Sequence, residues 1–351
     1  MNQCKNFKLK SALIIIFPIL ICLAILLSLP SSTENRESTN SIESEITLTS
    51  SINTSSTVRA ENANSAIPSP TTAYVFSEPA INISAPYAIL YNVSTDEILY
   101  EKNIDSKIHP ASLTKILTAV TALNYMNTDT VLTVGTELEL LPKHSSLCLI
   151  KAGHRLTLYD LLTGMLISSG NDAAYTIAVN IARAVMGKNT ANDKDALSHF
   201  TDLMNSTAKN IGCTNSNFTT PDGFDSDEQY TTLRDLIKIC RYALSFKEIC
   251  EITSTAKKKV VFESGENVTW SNSNQLLHKD SPYYYPSAMG IKTGTTPLAG
   301  KCLAAVAETN GQSYIAIIAG CKSEDERYCD IIKLFEWADQ SVSAKGEAVA
   351  P

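Results

Sequence analysis

A serine and a lysine three positions apart, Ser112 and Lys115, are the first residues whose types and spacing predict chemistry. Pro110 and an apolar repeat at helical spacing predict a helix here, and residues three apart on a helix share a face. The lysine amine can then reach the serine hydroxyl and act as its base, which is nucleophilic catalysis without histidine. The amine's pKa has to fall from about 10.4 to near neutrality, a cost of about 4 kcal/mol. We expect burial and a neighbouring cation, Lys292, to lower it.

The Ser-x-x-Lys pattern alone is weak evidence, because it occurs at two further places in the chain. Ser206–Lys209 and Ser254–Lys257 have the same spacing, and we interpret them as ordinary helix surface or the start of a strand. Ser112 differs from them because it alone lies upstream of the two motifs described next and directly behind a Pro-Ala helix start.

The second motif, Ser169-Gly170-Asn171, lies in the break between two predicted helices. Short polar side chains at such a break can project into a cleft. The alternative interpretation is a helix terminator followed by an N-cap.

The third motif is Lys292-Thr293-Gly294-Thr295, on a predicted strand. A lysine and two hydroxyls present hydrogen-bond donors to a carboxylate, and a glycine lets a substrate backbone approach closely. The alternative interpretation is an edge strand that carries a solvated lysine.

The elements that must position these motifs are typical of an α+β domain with a helical insertion. Asn310-Gly311 between two apolar runs predicts a type I′ hairpin. Strands are predicted at 87–92, 97–101, 258–262, 268–271, 289–295, 301–309 and 312–319. Helices are predicted at 113–123, 157–167, 172–185, 197–210, 232–244 and 324–340.

In this order, the three motifs resemble the Ser-x-x-Lys, Ser-x-Asn and Lys-Thr-Gly set of the penicillin-recognising serine enzymes. Among these enzymes, the chain more closely resembles the low-molecular-mass penicillin-binding proteins, the D-alanyl-D-alanine carboxypeptidases of serine peptidase family S11. The resemblance implies a β-lactamase/transpeptidase-like fold, an antiparallel sheet flanked by helices with a helical subdomain. It covers residues 86–340 and rests on His109–Lys115, Ser169–Ala173, Pro221–Phe224, Tyr230–Thr232, Arg234–Leu236, Lys292–Thr296 and Ala299–Gly300.

Carried over to this sequence, the resemblance implies a catalytic role for four side chains. Ser112 is the acylated nucleophile, and Lys115 is its base. Ser169 relays a proton toward the leaving group, and Asn171 holds the substrate peptide or Lys115.

The resemblance also implies a binding site for the substrate's terminal carboxylate. Lys292, Thr293 and Thr295 bind it, with Gly294 as the small residue between them. Arg327 assists, unless it is a solvated surface arginine. The backbone N–H groups of Ser112 and Thr295 form the oxyanion hole, in which one donor is worth about 2.7 to 4 kcal/mol.

The implied activity is removal of the terminal D-alanine from peptidoglycan stem pentapeptides, with β-lactams as inhibitors. Three alternatives remain: an endopeptidase on cross-links, a β-lactamase, and a non-catalytic penicillin-binding sensor. A β-lactamase needs rapid deacylation, often from an added Glu ahead of the Lys-Thr-Gly strand. The segment Glu263–Asn267 contains glutamates that would suit this role, but it lies in a predicted hairpin turn.

The first 85 residues predict a location outside the cytoplasm. Residues 11–29 carry no charge and follow three lysines, as in a membrane anchor or a signal peptide, and we favour a retained anchor. Between residues 31 and 72, 19 of 42 are Ser or Thr, which is typical of a disordered linker. We therefore predict an anchor at 1–29, a linker at 30–85, the peptidase domain at 86–340 and a tail at 341–351. The resembling carboxypeptidases usually carry a second domain and a C-terminal membrane helix, neither of which fits after Gln340.

Composition excludes several other classes of function. The formal net charge is -7 without a basic stripe, which argues against a nucleic-acid partner. The five histidines show no ligand spacing, so we predict no metal and no cofactor. The nine cysteines leave disulfide pairing open.

Overall fold

The computed structural model describes residues 81–189 and 191–347, with side chains described as far as Gln340. The predicted anchor at 1–29, most of the linker at 30–85 and the last four residues of the tail lie outside the described residues. Within the described ranges, no helix has the length and apolar character needed to cross a bilayer.

A five-stranded antiparallel sheet forms the centre of the described fold, in the order β2-β1-β9-β8-β7. The predicted hairpin at Asn310-Gly311 is confirmed, since both residues have the positive φ of a type I′ turn, 51° and 70°. The third motif lies on β7, an edge strand of this sheet. The strands are β1 Tyr87–Asn92, β2 Glu97–Lys102, β7 Ala288–Thr296, β8 Gly300–Thr309 and β9 Gln312–Cys321.

Each face of the sheet packs against a different helical layer, as the side chains along β9 show by belonging alternately to two cores. Ile315 and Ile317 belong to the large core shared with the helical region, whereas Ala316 and Ile318 belong to a second core under the last helix, α7 Glu324–Glu347. Side chains alternate between faces along a strand, so one apolar run serves both cores. The expected α+β class, an antiparallel sheet flanked by helices, is confirmed.

The helical region lies between β2 and β7 in sequence. Its predicted helices are confirmed, and Thr157 caps α2 by accepting a hydrogen bond from the Asp160 N–H. A short helix and one small strand pair, Val131–Thr133 with Arg155–Thr157, were not predicted, because three-residue strands and a seven-residue helix are too short to show a period. The strands predicted at 258–262 and 268–271 are confirmed as an antiparallel pair. The helices are α1 Thr114–Tyr125, α2 Leu158–Ile167, α3 Asn171–Met186, α4 Asp193–Asn210, α5 Leu233–Leu244 and α6 Lys247–Thr253; the pairs are β3 Val131–Thr133 with β4 Arg155–Thr157 and β5 Lys257–Val261 with β6 Asn267–Ser271.

Both ends of the packed domain differ from the predicted boundaries. Ile83 and Ala85 are buried, and the Ala85 N–H donates to the Asp330 carboxylate at 2.7 Å, so packing begins upstream of Pro86. The last helix continues beyond Gln340 to Glu347.

Candidate active site

Ser112 lies in a 3-10 turn over Ala111–Leu113 that leads directly into α1. The Lys115 Nζ donates to the Ser112 Oγ at 2.8 Å and to the backbone oxygen of Asp222 at 2.9 Å. The lysine is fully buried, and this burial lowers its pKa to about 8, against the opposing charges of Asp222 and Asp172. The predicted nucleophile and base therefore make direct contact, and the amine can lose its proton at mildly alkaline pH.

The loop that supplies the Asp222 carbonyl is held against the nucleophile by a glycine. Ala111, just before Ser112, has a left-handed φ of 47°. Gly223 has a φ of +86°, and a Cβ there would lie 1.8 Å from the Ala111 oxygen. Only glycine allows this approach.

A buried glutamine fixes the same loop from behind. The Gln229 Oε1 accepts the N–H groups of Thr219 and Thr220 at 3.0 and 2.9 Å, and its Nε2 donates to the Phe224 oxygen at 2.9 Å. Neither Gln229 nor Asp222 received a role from the sequence, although Pro221–Phe224 was part of the family match.

The second motif joins α2 to α3, as predicted. Ser169 has a left-handed φ of 63°, a conformation that costs about 1 to 3 kcal/mol and is typical of functional sites. Asn171 begins α3, and its N–H donates to the Ser146 oxygen at 2.7 Å. The next residue, Asp172, is buried, and its charge opposes the fall in the pKa of Lys115.

The third motif lies beside the nucleophile. A Cβ on Gly294 would come within 3.0 Å of the Ala111 Cβ and 3.2 Å of the Ser112 nitrogen. The β7 backbone therefore passes directly along the nucleophile's turn, as the carboxylate-binding prediction requires. Thr295, the next residue, is exposed.

Lys292 does not supply the lowering cation that the sequence predicted for Lys115. The pKa of Lys115 falls through burial, whereas the pKa of Lys292 is held well below its usual range by burial and then by repulsion from Lys115 and Arg327. A like charge nearby disfavours the charged form of a buried amine, and here this repulsion adds to burial in lowering the pKa of Lys292. The permanent positive charge of this site belongs to Arg327.

Arg327 is buried at the start of α7 and is not a solvated surface residue. Its Nη1 donates to the Gly294 oxygen and the Thr295 Oγ1, both at 3.3 Å. Its Nη2 forms a short ion pair with the Glu324 carboxylate. The guanidinium therefore lies against the strand on which the substrate's carboxylate is expected.

Ser273 links the third motif to the end of α2, two residues before the second motif, and the sequence did not indicate it. Its hydroxyl hydrogen-bonds to the Thr293 Oγ1 at 2.6 Å, and its N–H donates to the Ile167 oxygen at the end of α2 at 2.9 Å. Its own carbonyl accepts from the Tyr328 hydroxyl at 3.1 Å. The only local signal was the pair of flanking asparagines, Asn272 and Asn274, both of which are buried.

Other chemistry-bearing side chains are structural. Within residues 81–189 and 191–347, no cluster of three His, Cys, Asp or Glu side chains is arranged to hold a metal ion. Burial raises the pKa of several thiols, which keeps them neutral; these are Cys148, Cys213, Cys240, Cys302 and Cys321.

Comparison with known proteins agrees with this geometry. The sequence model of the D-alanyl-D-alanine carboxypeptidase family, peptidase S11, matches residues 73–323. The chain belongs to this family.

Individual members of the family are similar over most of the described chain. The D-alanyl-D-alanine carboxypeptidase of Streptomyces sp. strain K15 is 31% identical over 278 residues, which is 76% of this chain and 90% of that one. DacF of Bacillus subtilis is 27% identical over 257 residues and 72% of this chain, which spans only 62% of DacF. The crystal structure of the Streptomyces K15 DD-transpeptidase superposes with a TM-score of 0.67 at 28% identity, covering 74% of this chain and 98% of that one.

Proposed function

We propose that the protein is a serine D-alanyl-D-alanine carboxypeptidase, which removes the terminal D-alanine of peptidoglycan stem pentapeptides. The observation that carries the proposal is the 2.8 Å contact between the Ser112 hydroxyl and the buried Lys115 amine. The neutral amine takes the hydroxyl proton while the oxygen attacks the penultimate D-alanine carbonyl. Terminal D-alanine then leaves, and water hydrolyses the acyl-enzyme.

The remaining motif residues take the roles that the family resemblance implies. Ser169 passes the proton to the leaving amine, and Asn171 orients the peptide. The N–H groups of Ser112 and Thr295 stabilise the oxyanion. The close approach of Gly294 to the Ser112 nitrogen supports this last assignment, because it brings both backbones to one point.

The terminal carboxylate is bound in this proposal by Thr293, Thr295, Lys292 and the permanent charge of Arg327. The lowered pKa of Lys292 supports the assignment of Arg327 as the residue whose positive charge attracts the substrate's carboxylate to the free enzyme. An arriving carboxylate favours protonation of Lys292, since an opposite charge stabilises the ammonium form.

A transpeptidase is the second candidate, because the solved structures of the Streptomyces K15 relative are named as those of a DD-transpeptidase. The acyl-enzyme would be the same, with an amine as acceptor in place of water. A β-lactamase has less support. Glu266 lies in the turn between β5 and β6, where its carboxylate faces Ser264 and His154.

Fluorescent penicillin tests the nucleophile. We expect one label per full-length chain, and we expect Ser112→Ala to abolish labelling. Ser206→Ala, in the Ser-x-x-Lys sequence on α4, is the matched control and should label normally. Unchanged labelling of the Ser112 variant would eliminate the proposed nucleophile.

Mass spectrometry of cell-wall peptides after incubation separates the candidate reactions. Loss of one alanine identifies the carboxypeptidase, cleavage of cross-links an endopeptidase, and new cross-links a transpeptidase. Penicillin turnover of many per second would identify a β-lactamase, and labelling without any product would identify a sensor.

The proposal includes a location on the outer face of the cytoplasmic membrane, with the N-terminal segment as a single-pass anchor. The uncharged run at 11–29 after three lysines supports it, as does the location of the peptidoglycan substrate. Digestion of intact spheroplasts with protease tests it: the domain should be degraded while cytoplasmic proteins survive. Recovery in the culture medium of a chain that lacks the N-terminal segment would indicate a cleaved signal peptide instead.

A further inference from the structure

Asp222 contacts the catalytic base, Lys115, through its backbone oxygen and acts on the amine electrostatically through its carboxylate. The Lys115 amine donates to the backbone oxygen of Asp222 at 2.9 Å, and the side chain of Asp222 is only 1% exposed. This contact joins residues 107 positions apart, and Gly223 holds it in place against the nucleophile's turn.

The carboxylate of Asp222 has few hydrogen bonds to offset its charge. One oxygen accepts from the Phe224 N–H at 3.2 Å, and the other, Oδ2, is fully buried without a partner among the described residues. A buried charge with an unsatisfied oxygen acts strongly on neighbouring groups, because the local dielectric constant is low. Burial raises the pKa of the Tyr175 phenol on α3, and the charge of Asp222 raises it further.

The other titratable groups near Lys115 either have their charge offset by hydrogen bonds or have a pKa shifted toward the neutral form. Asp172 on α3 accepts the N–H groups of Cys148, Ile150 and Ala173 at 2.9, 3.2 and 3.0 Å. Burial raises the pKa of the Cys148 thiol well above its usual range, so it carries no charge. Burial and then repulsion from Lys115 and Arg327 hold the pKa of Lys292 on β7 well below its usual range.

We propose that Asp222 is a positioning residue for Lys115, whose carboxylate holds a proton on the amine and so makes activation of Ser112 depend on pH. This inference rests on the proposed function. Burial brings the pKa of Lys115 down to about 8, and the charge of Asp222 is the largest effect that opposes it. The carboxylate therefore restrains the base at neutral pH, and the enzyme becomes more active as the pH rises through about 8.

Neutralising Asp222 should release this restraint. Asp222→Asn keeps the shape and the acceptor for the Phe224 N–H, and it removes the charge. The acid limb of the Ser112 acylation rate should move down by about one pH unit, with acylation rising about tenfold below that limb. The assay is the rate of labelling of the full-length chain by fluorescent penicillin between about pH 5 and about pH 10.

Asp227→Asn is the matched control, since it makes the same charge change on an exposed residue of the same loop. It should leave the acid limb in place. Asp222→Ser, neutral and smaller, is a second variant with the same expected direction should the asparagine variant fold poorly. Thermal melting of each variant separates folding from protonation.

The possible outcomes are distinct. A downward shift in the Asp222 variants alone supports the inference. An unchanged limb in a folded Asp222 variant, or the same shift in Asp227→Asn, overturns it. Absence of labelling in the natural protein at every pH contradicts the proposed function instead.

Discussion

Replacing Gly223 with alanine should displace the nucleophile, and the chain offers a matched control. Gly212 has the same φ of +86°, and a Cβ there meets nothing within 4 Å. At Gly223 the added Cβ would lie 1.8 Å from the Ala111 oxygen, where real Cβ atoms keep at least 3.0 Å. The two variants therefore share the backbone strain and differ in the clash.

The magnitudes follow from these two effects. A left-handed alanine costs about 1 to 2 kcal/mol, which both variants incur. Overpacking adds about 1 to 3 kcal/mol in Gly223→Ala alone. Relieving the clash moves the Ala111 backbone by about 1 Å next to Ser112, and a misplacement of that size costs about 100-fold in rate.

Two measurements on the full-length variants test this reasoning. Urea denaturation gives the free energy of unfolding, and fluorescent penicillin gives the rate of Ser112 acylation. We expect Gly212→Ala to lose stability and keep the acylation rate. We expect Gly223→Ala to lose more stability and nearly all of the acylation rate. Equal acylation rates in the two variants would refute the claim that Gly223 positions the nucleophile.

Two further substitutions test the carboxylate site. Arg327→Ala should raise KM for a diacyl-D-Ala-D-Ala peptide by about 10- to 100-fold, because it removes a hydrogen bond to a charged group. It should not change the acylation rate for substrates that lack the carboxylate. Equal losses with both kinds of substrate would assign Arg327 to structure. Ser273→Ala removes the 2.6 Å partner of Thr293 and should raise KM by about tenfold with little change in kcat. Ser273→Thr keeps the hydroxyl and should restore KM, and a threonine variant as poor as alanine would contradict a role for the hydrogen bond.

The sequence predicted the order of the elements well, because apolar periods and turn residues act over a few neighbouring positions. The hairpin at Asn310-Gly311 and the helices that flank Ser169 are of this kind. The three motifs were also readable, since each combines its residue types within four positions. Position then distinguished Ser112 from the other two Ser-x-x-Lys sequences, because it alone lies upstream of both other motifs and directly behind a Pro-Ala helix start.

Only the tertiary structure decided how the catalytic base is held. The carbonyl of Asp222, the close approach of Gly223 and the hydroxyl of Ser273 join segments far apart in the chain, and local patterns cannot indicate such pairings. The protonation of Lys115 and Lys292 depended on burial in the same way. A lysine's sequence neighbours do not reveal how much water surrounds its amine, and desolvation is what lowers both pKa values.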